Sequence, residues 1–167
     1  RIIDLSQDFR LQGDAVPGER SFVYGLPELQ RSAIQSAQNI ANPGCFATAI
    51  QFTLLPLANA GRLKPVHVTG ITGATGAGQA LQAAVHFSWR ANNISAYKTL
   101  QHQHVHEIKQ SLTQLQPGEH AVHFIPWRGD FTRGIFASCC TPFEGTLDEA
   151  KALYAQYYEN EPFTKLS

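Results

Sequence analysis

The sequence predicts an α+β fold, and two observations carry that prediction. Apolar residues recur at helical spacing in three windows and at strand spacing or in short runs elsewhere, without the regular strand–helix alternation of a doubly wound sheet. Of 167 residues, 43% are hydrophobic and 16% charged, a globular composition with enough apolar side chain for one real core.

The elements follow in order. Arg1 to Leu5 reads as a short apolar strand. Residues 6–30 are rich in loop signals, punctuated by Pro17-Gly18 and Gly25-Leu26-Pro27. AQNIANPG (37–44) is a short strand running into a turn. From Cys45 to Ala60, Phe46, Ala49, Ile50, Leu54, Leu57 and Ala58 fall at helical spacing, and Gly61 stands where a helix closes. Val66 to Ile71 alternates as a strand and enters the glycine-rich turn 72–79, followed by a short helical stretch from Ala80. Residues 88–101 are irregular. Glu107 to Leu115 is an amphipathic helix stopped by Pro117-Gly118. Ala121–Trp127 and Gly134–Thr141 read as strands, Asp148–Glu159 as a helix capped by Thr146, and Phe163–Leu166 as the start of a further strand.

Charge excludes some partners. Thirteen basic residues balance thirteen acidic ones, so no global field draws in nucleic acid or an anionic membrane, although a local basic pocket for a small anion is compatible with neutrality. No apolar run reaches the roughly 18 residues of a membrane span, and the opening RIIDLSQDFR has no signal-peptide pattern. Three cysteines form an odd count without disulfide-scaffold spacing. Free thiols in a reducing compartment, the cytoplasm, are expected. The chain starts at Arg1 and has no methionine, which reads as a piece of a longer protein.

Three local patterns carry chemistry. Asn42-Pro43-Gly44-Cys45 places a thiol at the first turn of a helix, where the dipole and unpaired amides favour negative charge. Gly44 leaves a substrate room to approach, and the same amides suit an oxyanion. A buried structural thiol is the competing reading, and it is the one preferred for Cys139 and Cys140 within a strand. Next, His102, His104 and His106 alternate. On a strand they would share a face, as a metal site needs, yet no partner cluster stands out and no metal is expected. One histidine beside a thiolate is instead the usual acid–base partner, with Glu107 to orient it. Finally, Gly73-Ala74-Thr75-Gly76-Ala77-Gly78 offers backbone amides to a phosphate or a surface to a flat ring. It lacks the lysine of a Walker loop and the downstream acid of a dinucleotide unit.

Taken together, IDLSQDFRL (3–11), YGLPEL (24–29), NPGCFATA (42–49), GATGAGQA (73–80), HQHVHEI (102–108) and RGIF (133–136) resemble the N-acetyl-gamma-glutamyl-phosphate reductase family of arginine biosynthesis. The resemblance implies a fold like the catalytic domain of glyceraldehyde-3-phosphate dehydrogenase, a mixed sheet with helices on one face and a homo-oligomer contact on the other. It divides the chain into residues 1–41, the end of a dinucleotide-binding half, and 42–167, the catalytic and oligomerisation domain. It implies an acyl phosphate as substrate and NADP as cofactor, held mainly by a half lying upstream, so that the isolated chain is expected to be inactive. Cys45 becomes the nucleophile and His102 the acid–base; Asn42, Tyr97, His104, Glu107 and Arg133 become substrate contacts. Gly73, Thr75, Gly76, Ala77 and Gly78 face the nicotinamide. Gln79 and Gln103 stand where the family has arginine, which leaves the N-acyl group, acetyl or another such as succinyl, open. Two other readings are a Cys–His hydrolase or acyltransferase, and a non-catalytic oligomerisation or metal-binding module.

Overall fold

The structure, a computed structural model, describes residues 1–15 and 20–167; the Pro17-Gly18 punctuation lies outside the described residues. Strands β1 (Ile2–Asp4), β2 (Val23–Tyr24) and β3 (Asn39–Ala41) form a parallel sheet in the order β1-β3-β2. Between β2 and β3 lies helix α1 (Pro27–Ser36), which the sequence reading does not contain. It has start signals, Pro27 at the first position and Glu28 in the first turn. It buries no residue, so no apolar stripe announces it.

The second sheet holds β4 (Val66–Thr72), β5 (Ser95–Ala96), β6 (Val122–Arg128) and β7 (Ile135–Cys140) in the order β5-β6-β4-β7. β4 runs parallel to β6 and antiparallel to β7, so the sheet is mixed. The register sends Val66, Val68, Phe124, Ala137 and Cys139 to one face. Helices α2 (Cys45–Asn59) and α4 (His104–Leu115) pack there, joining Phe46, Ile50, Leu54, Ile108 and Leu112 to Phe124 in one core. The opposite face presents His67, Thr69, Phe136, Ser138 and Cys140 exposed, with Ile125 and Trp127 half-buried.

Helix α5 (Leu147–Tyr158) packs on α2. Pro56, inside α2, has no N–H and so leaves the carbonyl of Phe52 without its helical partner. Tyr158 of α5 donates its hydroxyl to that carbonyl at 2.6 Å, and Tyr154 donates to Thr53 one residue on. A defect in one helix thereby becomes the docking site of another. The α5 start is a full capping box between Thr146 and Glu149. At the other end of α2, Gly61 takes φ 66°, a left-handed closure that suits glycine.

Four other local expectations are corrected. α4 begins at His104, three residues before the expected Glu107, because polar histidines and an uncapped Gln103 hide its first turn. The stretch after Ala80 becomes a 3₁₀ turn at Ala83–Val85 and a four-residue helix α3 (Phe87–Arg90). The irregular segment contains β5, only two residues long. Phe163–Leu166 forms no strand; Phe163 is exposed and pairs with no neighbouring strand among the described residues.

Removing one hydroxyl tests the α2–α5 junction. Tyr158→Phe is expected to cost about 1 kcal/mol of stability, read as a shift in urea midpoint. In a Pro56→Ala background, where residue 56 regains an N–H for Phe52, the same change should cost clearly less.

Candidate active site

Cys45 is the first residue of α2 and its side chain is exposed. No side chain caps this helix end, so the first-turn amides, which have no intrahelical carbonyl to meet, remain available beside the sulfur. Gly44 precedes it under a packed imidazole: a Cβ there would stand 2.4 Å from Nε2 of His104. Only glycine lets the thiol-bearing turn and that ring approach so closely.

Glu107, 3% exposed, organises the surroundings. Its carboxylate accepts from Tyr24 Oη at 3.0 Å, from the Gly44 amide at 2.9 Å and from Arg10 Nη1 at 3.2 Å. Gln51 of α2 in turn donates to Tyr24 Oη at 2.9 Å. The segment before the thiol, the thiol turn itself and helix α4 are thus tied at one group.

His102 and His104 are both buried, with ring centroids 4.5 Å apart. His102 sits among Phe46, Tyr97 and Phe124. Burial first, then the nearby His104 and Lys98, push its pKa down to about 4. Its Nδ1 accepts the His104 backbone N–H at 3.2 Å, so in the neutral ring the proton belongs on Nε2. His104 is likewise lowered to about 4, by burial and then by Arg10 and Lys98. His106, the third of the alternating set, is exposed on α4. Since this segment is helical from His104, the three rings do not share a strand face.

A cleft of about 480 Å³ gathers Asn42, Cys45, Tyr97, His102 and His104, with Gly76 and Ala77 on its far side. Three cations line it, Arg10, Lys98 and Arg128. None of them was singled out from the sequence, although Arg10 lies inside the quoted segment IDLSQDFRL; Tyr24, which holds Glu107, likewise lies inside YGLPEL. The signal missed was the fold that brings these separated residues together. Arg128 bonds the Gly73 carbonyl at 3.0 Å and lies over the Tyr97 ring at 4.8 Å. Gln103 lines the same cleft and accepts from Lys98 at 3.1 Å. Gln79 and Gly78 line a neighbouring hollow instead, and Arg133 is exposed in the turn before β7 and does not line the cleft.

The glycine-rich turn fits one of its two expected uses. The amides of Gly73, Ala74, Thr75, Gly76 and Gly78 are engaged by carbonyls of the turn or of residues 131–134, so they form no phosphate cradle. What the turn offers the cleft is the small surface of Gly76 and Ala77, which fits the edge or face of a flat ring.

Residues 45–167 match the family described as semialdehyde dehydrogenase, dimerisation domain. The whole chain is 53% identical to an N-acetyl-gamma-glutamyl-phosphate reductase of Christiangramia forsetii, covering 51% of that protein. It is 51% identical to one of Flavobacterium johnsoniae, again over all of this chain and 52% of the relative. The chain spans about half the length of the curated relatives it matches. Among solved structures, aspartate semialdehyde dehydrogenase II of Vibrio cholerae in complex with ASA superposes with a TM-score of 0.67 at 16% identity, over 99% of this chain and 54% of that one. A likeness at that identity concerns the fold: a mixed sheet with helices on one face, as expected.

Acid should loosen this site first. The two imidazoles stay neutral down to about 4 in the folded chain but titrate near 6.5 when unfolded. Between those values the unfolded chain binds more protons, so their contribution to stability is complete above about pH 6.5 and falls as pH drops toward 4. Urea midpoints measured across that window should show a shallower decline in a His102→Gln, His104→Gln double variant.

Proposed function

The chain belongs to the semialdehyde dehydrogenase dimerisation-domain family, and from that membership we propose that it is the catalytic half of an NADP-dependent reductase converting an N-acyl-gamma-glutamyl phosphate to the semialdehyde in arginine biosynthesis. The observation that carries the reading is the exposed Cys45 thiol at an uncapped helix end, in one cleft with neutral His102 and three cations. Similarity to relatives bearing the N-acetyl-gamma-glutamyl-phosphate reductase name supports the choice of substrate.

In this reading Cys45 sulfur attacks the γ-carbonyl, and the first-turn amides of α2 receive the oxygen as it becomes negative. The C–O bond to phosphate breaks, the thiol proton leaves with the phosphate, and a thioester remains on Cys45. The nicotinamide cofactor, when bound, supplies the hydride, and the Gly76–Ala77 surface is where its ring would lie. The Nε2–H of His102 donates a hydrogen bond to the oxygen of the resulting tetrahedral adduct on Cys45 and stabilises its negative charge. As that oxygen re-forms the carbonyl the C–S bond breaks, which frees the aldehyde and leaves the sulfur as a thiolate that takes a proton from solvent before the next turnover. Tyr97, half-buried beside Arg128 and Cys45 with its pKa raised chiefly by desolvation, stays protonated and lines the acyl path. The cations of the cleft fit a substrate bearing negative groups.

Two further parts belong to the same reading. The parallel strands β1-β3-β2 suit the end of a dinucleotide-binding half, with residues 1–41 as its closing segment and the connection onward. The open face of the second sheet, with exposed Phe136 and half-buried Trp127, is where a second copy of the chain would pack. No helix is long and apolar enough to cross a membrane among the described residues, and a cytoplasmic reductase accords with three free thiols.

With the intact natural protein, Cys45→Ser should lower acyl-phosphate-dependent NADPH oxidation by at least about 10³-fold and abolish a thioester trapped by hydroxylamine. His102→Asn should lower kcat about 10²- to 10⁴-fold. Full activity in the serine variant would remove Cys45 from the chemistry. Phe136→Asp should shift the light-scattering mass toward that of a single copy; an unchanged mass would move the contact to another surface.

A further inference from the structure

Arg90, the last residue of α3, is 5% exposed. Its guanidinium makes five hydrogen bonds. Nε and Nη2 donate to the Ala84 carbonyl at 3.1 and 2.9 Å, and Nη1 donates to the carbonyls of Asn93 at 3.0 Å and Arg128 at 2.7 Å. Nη2 also donates to Ser95 Oγ at 2.8 Å. A guanidinium has five N–H groups in a rigid fork, so this one is saturated. None of the acceptors is a carboxylate, and among the described residues no acidic side chain pairs with Arg90. A cation buried without a counter-ion does little for stability; what the fork does is fix the relative positions of the segments it joins.

Arg90 does not line the cleft, yet each segment it holds continues into it. Ala84 follows Gln82, a cleft residue whose Nε2 donates to the Ala77 carbonyl at 3.1 Å. Arg128, held by Arg90 at its carbonyl, donates its own Nη1 to the Gly73 carbonyl and lies over the Tyr97 ring. Asn93 and Ser95 lead through β5 to Tyr97 and Lys98. The glycine-rich turn is thus tied to Arg90 at both ends, at Gly73 through Arg128 and at Ala77 through Gln82. The thiol side of the cleft is organised by Glu107 instead, and none of the five Arg90 bonds reaches it. We propose that Arg90 is a positioning residue for the reductive half of the reaction. It sets the Gly76–Ala77 surface and the Arg128–Tyr97 pair against the thioester while touching neither substrate nor cofactor; this role rests on the reductase reading. Hydride transfer is sensitive to small displacements of donor and acceptor. Thioester formation uses Cys45 and the first-turn amides of α2, on the side that Arg90 does not hold.

The test separates the two half-reactions in the intact natural protein, with N-acetyl-gamma-glutamyl phosphate at saturating concentration. Thioester formation is read as phosphate released in a single turnover with oxidised NADP in place of NADPH. Reduction is read as the single-turnover loss of NADPH absorbance. Arg90→Lys keeps the charge but cannot span the four acceptors. It is expected to slow reduction about 10²-fold, the effect of a displacement of about 1 Å, and to leave the rate of thioester formation close to that of the unaltered protein. Ser95→Ala removes one acceptor outside the cleft and should slow the same step by a smaller factor. It decides the question if the lysine variant does not fold, as judged by circular dichroism. Equal loss in both steps is what a merely structural role predicts, and it overturns the proposal. Loss of thioester formation alone, or no change in either step, overturns it as well. If the unaltered protein neither releases phosphate nor oxidises NADPH, the reductase reading falls and this role with it. If the unaltered protein performs both steps and the variants show no selective loss, the role of Arg90 alone falls.

Discussion

A carboxylate that leaves water must find hydrogen-bond donors and positive charge inside the protein, or its burial works against folding. Glu107 is such a group, and its three donors come from three different parts of the chain: Arg10 and Tyr24 before the thiol, and the Gly44 amide within the thiol turn. Because they converge on one side chain of α4, the first sheet, the α2 terminus and the histidine helix cannot move independently. Displacing any one leaves a buried charge or a buried donor unanswered. The position of Cys45 relative to His102 and His104 depends on this one meeting point more than on either helix alone.

The same economy operates in the core. Pro56 opens the α2 hydrogen-bond ladder, and α5 closes it with Tyr158 while Tyr154 takes the next carbonyl. α2 therefore presents an exposed thiol at its first residue and a docking site for a second layer near its last turn. Packing against Phe124 and Leu112 holds the axis between the two ends. A thiol on a helix braced at both ends and along one face keeps its geometry, as the proposed oxyanion site would require.

Chemically, the cleft combines parts that water would spoil. His102 is buried enough to remain neutral, with Nδ1 fixed by a backbone donor, so the proton it offers sits on the other nitrogen. Cations surround the thiol without pairing directly with it. Burial lowers both imidazoles while the sulfur stays exposed, a division that in the proposed reaction puts substrate access at Cys45 and the histidines behind it.

Much of this was legible in the residues themselves. The period of Phe46, Ile50, Leu54 and Leu57 announces α2, and the alternation of Val66 and Val68 announces β4, because side-chain periodicity is a property of the local backbone. Cys45 at a helix start and the histidines near it could be named for the same reason. α1 was hidden because it buries nothing, and the first turn of α4 because histidine is a weak helix signal. Arg10, Lys98 and Arg128 were hidden more deeply: nothing local distinguishes a surface arginine from one drawn 97 residues along the chain to a buried glutamate. By itself the sequence determined the long apolar elements α2, β4, β6 and β7, the helix α5 and which thiol begins a helix, since those follow from spacing and capping signals. Only the tertiary structure decided which charges share the cleft, why Glu107 tolerates burial and which face of the sheet stays open. Those outcomes depend on desolvation and on contacts between distant segments, which no local pattern encodes.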